Sequence, residues 1–554
     1  MAKNVLTAWQ RLMGLLKLDK RDVLQTFYYA IFAGLVNLSL PLGIQAIINL
    51  IQGAQISTSW IILVVLVTGG VAFAGLLQLM QIRIIENVQQ KIFTRASFEF
   101  TYRFPKIKMS ELRDYYPPEL ANRFFDILNV QKGLSKILID FPAAILQIIF
   151  GLLLLSFYHP FFIIYGILLL LLIYVVFKFT VQKGMETSLD ESKQKYKVAH
   201  WIQEVARSLI SFKLSGKTSL AVDKNDVLVS DYLAAREGHF RILVMQFLQM
   251  IGFKVLVTAG LLLIGGLLVL NQEMNIGQFV AAEIIILLVI TSVEKLIRGL
   301  ETFYDLLTSL EKLGQVVDKD LEDQNGEKPL SELEDLTVEL DHVSFKVNGK
   351  GNILEDISLK IEPRSTLLIT GVNSSGKSTL LRIIAGILEP TEGSIYANNV
   401  SLSGINANHY RAFLGQSLTE ETPFEGTILE NITFGDTTIS QKTLYWALEN
   451  VGLLKFVKQQ PMGLKTMLYP EGQQIPYTVA KKIVLARSIV RKPKLLIIKD
   501  ALNQFDEIEA LRIMKFLTDK GNPWALVVVS QDPKWIGRCE RILTMEDGKI
   551  VSIN

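Results

Sequence analysis

Half of the 554 residues are hydrophobic, mean hydropathy is +0.32 and the formal net charge is +3. That is too apolar for an ordinary soluble protein, too weakly basic to argue for a nucleic-acid partner, and too long for one ordinary domain. The single cysteine, Cys539, excludes an intrachain disulfide and a cysteine-built metal site.

The chain opens Met1-Ala-Lys-Asn and stays polar, unlike a cleavable signal peptide. Six apolar runs follow, at 27–50, 60–80, 141–158, 160–179, 253–270 and 276–297, each close to the roughly 20 residues that cross a bilayer core as a helix. The third and fourth part only at His159, which predicts a tight hairpin. Basic residues fall on alternate connections. Lys17, Lys20 and Arg21 precede the first run, Lys91 to Arg113 follow the second, and Lys183 to Lys217 follow the fourth; the connections 52–59, His159 and 271–275 carry no Lys or Arg. This sorting predicts both termini in the cytosol, and helices buried in a large soluble protein would not produce it. The two basic loops are roughly 60–70 residues long, far beyond a usual connection. Helix-like spacing over 82–104 and 189–211 predicts that the spans run on into the cytosol and turn near 106–116 and 210–218. Asp140 and Glu294 lie at or near span ends. Glu283 lies inside the sixth, where a carboxylate is costly; it reads either as a functional group or as a side chain turned to a wet cavity or a polar neighbour.

From Val317 the chain becomes charged and apolar-poor, which predicts an exposed linker at 321–334 between a membrane domain (1–320) and a second domain (335–554). Strand patterns at 337–340, 343–347 and 357–361, then alternating strands and helices, predict an α/β fold. In it Gly371-Val372-Asn373-Ser374-Ser375-Gly376-Lys377-Ser378 fits G-x-x-x-x-G-K-[ST], with a buried strand, Leu367 to Thr370, leading in and a helix from Thr379 to Leu388 leading out. Glycines let successive N–H groups and the helix N-terminus point at phosphate oxygens. Lys377 is placed to reach the β- and γ-phosphates, and Ser378 to offer its hydroxyl to Mg²⁺.

With these blocks in order, and with Val343-Ser-Phe, Leu354-Glu-Asp-Ile-Ser-Leu, Gly426-Thr-Ile-Leu-Glu-Asn-Ile, Leu485-Ala-Arg-Ser-Ile-Val and Asp547-Gly-Lys-Ile-Val, nearly the whole chain resembles a half-transporter of the ATP-binding cassette exporter type. The resemblance implies a six-helix transmembrane bundle with long cytosolic helical extensions followed by an α/β P-loop nucleotide-binding domain. It also implies ATP as ligand with Mg²⁺, and a second half-transporter as partner. The membrane part resembles bacterial peptide and protein exporters of the type I secretion or bacteriocin kind. That implies an inner-membrane location and an exported substrate whose identity the sequence does not give. Too few residues precede the first run for a fused protease.

Residue by residue, the family's catalytic pattern is broken. Val347 stands where an aromatic ring stacks on adenine, and offers apolar contact only. Thr419 stands where a Gln senses metal and water, with Gln416 three residues away. Spacing to Asp506 puts Lys499 at the metal-binding Asp and Asp500 at the water-polarising Glu; a one-residue slip restores a metal carboxylate and leaves Ala501 as base. Lys499 then either replaces part of the cation's charge or extends to water. Ile475-Pro-Tyr-Thr-Val479 replaces the glycine-rich signature, with Pro476, Tyr477 and Thr478 obstructing a γ-phosphate, and Gln531 replaces the switch His. Phosphoryl transfer depends on positioned charge and Mg²⁺, so the expectation is nucleotide binding around 371–379 and Val347, little or no hydrolysis, and a heterodimer with a more complete half. The rivals are a homodimeric ATP-hydrolysing exporter and a non-transporting membrane scaffold or nucleotide sensor; a soluble nucleotide kinase or GTPase fails on the six spans.

Overall fold

The computed structural model describes residues 6–52, 58–113, 115–331, 333–347 and 351–554. They divide into two compact units, one of residues 1–106 and 114–319, the other of 107–113 and 320–554.

The first unit is helical: α1 (Ala8–Leu18), α2 (Lys20–Asn37), α3 (Ser39–Gln52), α4 (Thr58–Arg103), α5 (Pro117–Asn122), α6 (Asp126–Ser135), α7 (Phe141–Ser156), α8 (Phe161–Arg207), α9 (Leu209–Leu214), α10 (Leu220–Leu270) and α11 (Ile276–Val317). Among the described residues, five helical stretches are long and apolar enough to cross a membrane: Lys20–Gln52, Thr58–Lys106, Pro117–Ser156, Leu220–Leu270 and Ile276–Val317; Phe161–Tyr174 is a shorter apolar stretch at the start of α8. Each expected span therefore falls on helix, the first of them broken at Leu38 between α2 and α3. The 53–57 part of the connection 52–59 lies outside the described residues.

Packing follows a helical repeat. Ala144, Ile148, Gly151, Leu152 and Leu155 of α7 share a core with Ala282, Ile285, Ile286, Val289 and Val293 of α11. Gly151 is the point of close approach, where a Cβ would meet Val289 Cγ2 at 3.1 Å. Large apolar side chains such as Ile61, Ile62, Val65 and Leu66 on α4 face outward, as lipid requires and water disfavours. α4, α8, α10 and α11 hold 46, 47, 51 and 42 residues. At ~1.5 Å per residue that is roughly 63–77 Å, about twice the ~30 Å hydrocarbon core. The unit also holds buried polar contacts: Tyr196 of α8 donates its O–H to buried Asp126 of α6, and buried Arg123 lies 3.6 Å over the Tyr196 ring.

The second unit is α/β. Its strands are β1 (Val338–Val347), β2 (Gly351–Ile361), β3 (Thr366–Gly371), β4 (Glu392–Ala397), β5 (Val400–Ser401), β6 (Leu414–Ser417), β7 (Gly426–Thr427), β8 (Met467–Leu468), β9 (Leu495–Lys499), β10 (Ala525–Val529), β11 (Arg541–Glu546) and β12 (Lys549–Ile553). Its helices are α12 (Lys377–Ile384), α13 (Ala407–Ala412), α14 (Ile428–Thr433), α15 (Gln441–Asn450), α16 (Leu454–Gln459), α17 (Tyr477–Ile489) and α18 (Glu507–Leu517). A sheet ordered β12-β11-β3-β10-β9-β6 is parallel from β11 to β6, with β12 antiparallel at one edge. A smaller antiparallel sheet runs β2-β1-β4-β5. Two cores result. Leu367, Ile369, Leu495, Ile497, Val527 and Val529 pack with α12, and Leu368, Leu496, Ile498, Leu526 and Val528 pack with α17.

Two sequence expectations need correction here and a third needs qualification. The strands expected at 337–340 and 343–347 are one strand, β1, whose pairing shifts register between Leu340 and Val343; the polar pair Asp341-His342 marks a bulge, with His342 at φ +50°. The helix after the phosphate loop begins at Lys377, not Thr379, and stops at Ile384, not Leu388; Gly386 at φ +64° ends it in the left-handed region. The stretch expected to be an exposed linker, 321–334, is exposed at 323, 325, 327–329, 333 and 334 but is held at several points. Arg411 grips Glu322 through two bonds of 2.7 and 2.8 Å, Asn406 N donates to Glu327 O, and Leu330 is buried in the α12 core. Glu322 thus has a specific partner, whereas Asp323, Glu327, Lys328 and Glu334 are exposed as the sequence implied.

Candidate functional site

The carboxyl ends of β3, β10 and β9 open side by side, the place where parallel sheets gather ligands. β3 delivers Gly371 and α12 starts at Lys377, so residues 372–376 form the loop between them. Two glycines are required by space. A Cβ on Gly371 (φ +137°) would lie 2.0 Å from Met545 O, and one on Gly376 (φ +93°) 2.6 Å from Leu354 Cδ2. Lys377 Nζ bridges the loop, donating to Gly371 O (2.9 Å), Val372 O (2.6 Å) and Ser375 Oγ (3.0 Å). Burial lowers the Lys377 pKa; Asp500 opposes that shift and Lys499 adds to it. Three acceptors now hold an ammonium that a triphosphate could draw outward. Val372, Asn373 and Ser374 are exposed, Ser375 is buried, and Ser378 and Thr379 are half-buried on the first turn of α12.

Of the positions expected around this loop, Gln531 reaches it directly, and Lys499 and Asp500 lie near enough to act on Lys377. Gln531, past the end of β10, directs Nε2 at Asn373 Oδ1 (3.2 Å) and Gly371 O (3.4 Å). Thr419 Oγ1 lies 3.5 Å from Lys499 O. Lys499 ends β9 and continues the parity of Leu495 and Ile497, the residues that face α12. Asp500 follows at φ +49°, outside the strand, with Oδ1 accepting from Asn503 Nδ2 at 3.2 Å. Gln416 sits inside β6 opposite Ile497, short of the sheet's open edge. Val347 closes β1, half-buried against the α12 core. Pro476 caps α17 and Tyr477 is its first, exposed residue, with Thr478 behind it. Glu283 is half-buried on α11, far along the chain from this site.

A magnesium ion calls for hard oxygen ligands in octahedral array. Ser378 supplies one hydroxyl. The strand that closes the site from the other side ends in an ammonium, and the next carboxylate, Asp500, is turned to Asn503. This donor set does not fit magnesium.

Sequence reading missed the anchor of the Thr419 loop. Lys481, buried on the second turn of α17, donates Nζ to Thr419 O (2.8 Å) and Glu421 O (3.0 Å). Glu421 accepts from Leu418 N at 3.1 Å, and burial raises its pKa. Arg487, six residues further along α17, bonds Asn431 O and Oδ1, and the Asn431 side-chain amide brackets Phe424, Oδ1 accepting from its N–H and Nδ2 donating to its carbonyl. The available signal was a lysine flanked by Val479, Ala480, Val484 and Leu485, a setting in which an ammonium needs buried acceptors.

Residues 24–293 match the family described as the ABC transporter transmembrane region, and residues 354–503 the one described as ABC transporter. The chain is 24% identical over 499 residues to a fatty acid ABC transporter ATP-binding/permease protein of Mycobacterium bovis, covering 86% of this chain and 76% of that protein. It is 27% identical over 306 residues to the alpha-hemolysin translocation ATP-binding protein of Escherichia coli O157:H7, covering 55% of this chain and 43% of that one. Its fold is similar to that of a bacterial Atm1-family ABC exporter solved with ATP bound, at TM-score 0.86 and 16% identity over 96% of this chain and 95% of the other.

Proposed function

The chain belongs to the ATP-binding cassette transporters, as an exporter-type half with its membrane region and cassette in one polypeptide, and from that premise we propose that it grips ATP without turning it over appreciably. It works beside a second, different half that supplies a competent site. One observation carries the reading: Lys499 closes β9 on the α12 face, where hydrolysis calls for a metal-holding carboxylate. Three further features support it. Thr419 and Gln531 are neutral groups that cannot act as strong bases, and Pro476 lacks the N–H that the start of α17 would otherwise present to a phosphate. Lys377 and the exposed loop N–H groups remain to hold a triphosphate.

The placement of Lys and Arg on alternate connections supports cytosolic termini, and the bacterial relatives support an inner-membrane location. The likeness of the bundle to peptide and protein exporters makes a polypeptide the first substrate class to test.

The test is co-purification from the native membrane with an ATPase assay. Recovery with a second cassette protein bearing an intact carboxylate pair, ATP binding lost in Lys377→Ala, and turnover belonging to the partner are the expected results. A homodimer of this chain alone with brisk Mg²⁺-dependent hydrolysis refutes the proposal.

A further inference from the structure

We infer that the pocket takes nucleoside triphosphate free of magnesium, with the Lys499 ammonium standing where a divalent cation would otherwise neutralise the β- and γ-phosphates. This rests on the ATP-binding reading above and adds the ionic form of the ligand.

Strand geometry makes the placement. Val529 of β10 pairs with Ile369 of β3 on one side and Lys499 of β9 on the other, so Lys499 stands level with Ile369, two residues before Gly371. Two strand spacings separate their backbones, roughly 10 Å. Side-chain parity sets the direction. Leu495 and Ile497 pack with Leu380, Leu381 and Ile384 of α12, whereas Leu496 and Ile498 pack on the α17 side. Lys499 thus leaves the sheet on the face where α12 and its phosphate loop lie. The electrostatic influence of Lys499 on Lys377 agrees with that placement.

The charge balance then selects the ligand. Lys377 and Lys499 bring two positive charges to the loop, and Asp500 brings one negative charge occupied with Asn503. A fully ionised triphosphate meets two ammonium groups and the N-terminal N–H groups of α12. Its magnesium complex carries less negative charge and brings a dication beside Lys499, in a site of low effective dielectric where like charges repel strongly. The neutral neighbours Thr419 and Gln531 offer no carboxylate to offset that repulsion.

The experiment is equilibrium displacement of a fluorescent ATP analogue by ATP from the full-length chain in lipid nanodiscs, once in magnesium chloride and once in EDTA. Wild type should bind at least as tightly in EDTA as in magnesium. Lys499→Met should weaken binding in EDTA by about tenfold, and Lys499→Arg should retain it. Lys499→Asp should bind poorly in EDTA and recover about tenfold or more when magnesium is added. Binding of wild type that requires magnesium, or equal affinities for wild type and Lys499→Met in EDTA, overturns the inference while leaving ATP binding intact. No ATP binding by folded wild type in either medium overturns the ATP reading itself, and this inference with it.

Discussion

Replacing Lys481 by methionine tests whether one buried ammonium organises the segment between β6 and β7. Lys481 is 4% exposed and its Nζ meets Thr419 O at 2.8 Å and Glu421 O at 3.0 Å. A hydrogen bond to a charged group contributes ~1.5–3 kcal/mol, so the pair is worth ~3–6 kcal/mol. Methionine fills most of the volume and recovers ~1–3 kcal/mol of desolvation. The net loss is then ~3 kcal/mol, and a domain of this size shifts by roughly 2–4 °C per kcal/mol, giving a fall of ~6–12 °C. Of the six tryptophans, Trp446, Trp524 and Trp535 lie in the second unit and Trp9, Trp60 and Trp201 in the first, so tryptophan emission during thermal unfolding of the intact chain reports both units, and a shift caused by Lys481→Met is read as the difference from wild type. Hydrogen exchange should quicken across 418–425 while β3 and β10 stay protected. A transition within about 2 °C of wild type, or unchanged exchange in that segment, refutes the role given to Lys481.

Other outcomes follow from the same contacts. Burial, with Lys499 adding to it, lowers the Lys377 pKa below the ordinary lysine value. Triphosphate needs the charged form, so affinity should be flat at neutral pH and fall as pH rises through that lowered pKa; in Lys499→Met the fall should move to higher pH, as binding titrations at alkaline pH would read. Gly371→Ala forces a Cβ to 2.0 Å from Met545 O at φ +137°, which should cost at least ~3 kcal/mol and leave little folded cassette by thermal unfolding. Tyr196→Phe strips buried Asp126 of its O–H donor, costing ~1–3 kcal/mol. A double-mutant cycle with Asp126→Asn should return a clear coupling energy; additive effects would separate the two residues.

What the sequence disclosed was what neighbouring residues decide together. The apolar runs and the phosphate loop are contiguous, so composition and spacing marked their elements. The polar pair Asp341-His342 broke the strand pattern of β1, because a bulge imitates a turn when only one strand is in view. The hold on Glu322 within 321–334 was not legible because Arg411, which neutralises it, lies about ninety residues downstream. Lys481 escaped notice for the same reason: its acceptors are backbone carbonyls sixty residues earlier, and carbonyls leave no trace in side-chain chemistry. Around the phosphate loop, Gln531 and Thr419 could be named from block spacing, but the direction of Lys499 needed the register of β10 between its neighbours.

Residues 107–113 belong to the second unit although the chain on both sides of them belongs to the first. Ile107 bridges Leu321, Lys108 N donates to Asp320 O, and Lys108 Nζ reaches Glu389 at 2.9 Å. A soluble fragment expressed from Asp320 onward would therefore start life with an orphaned edge: its first residues would have lost their backbone partner, and Glu389 its counter-charge. Supplying 107–113 as a peptide in trans, or grafting it to the fragment's amino end, is the economical way to give such a truncation back its missing border.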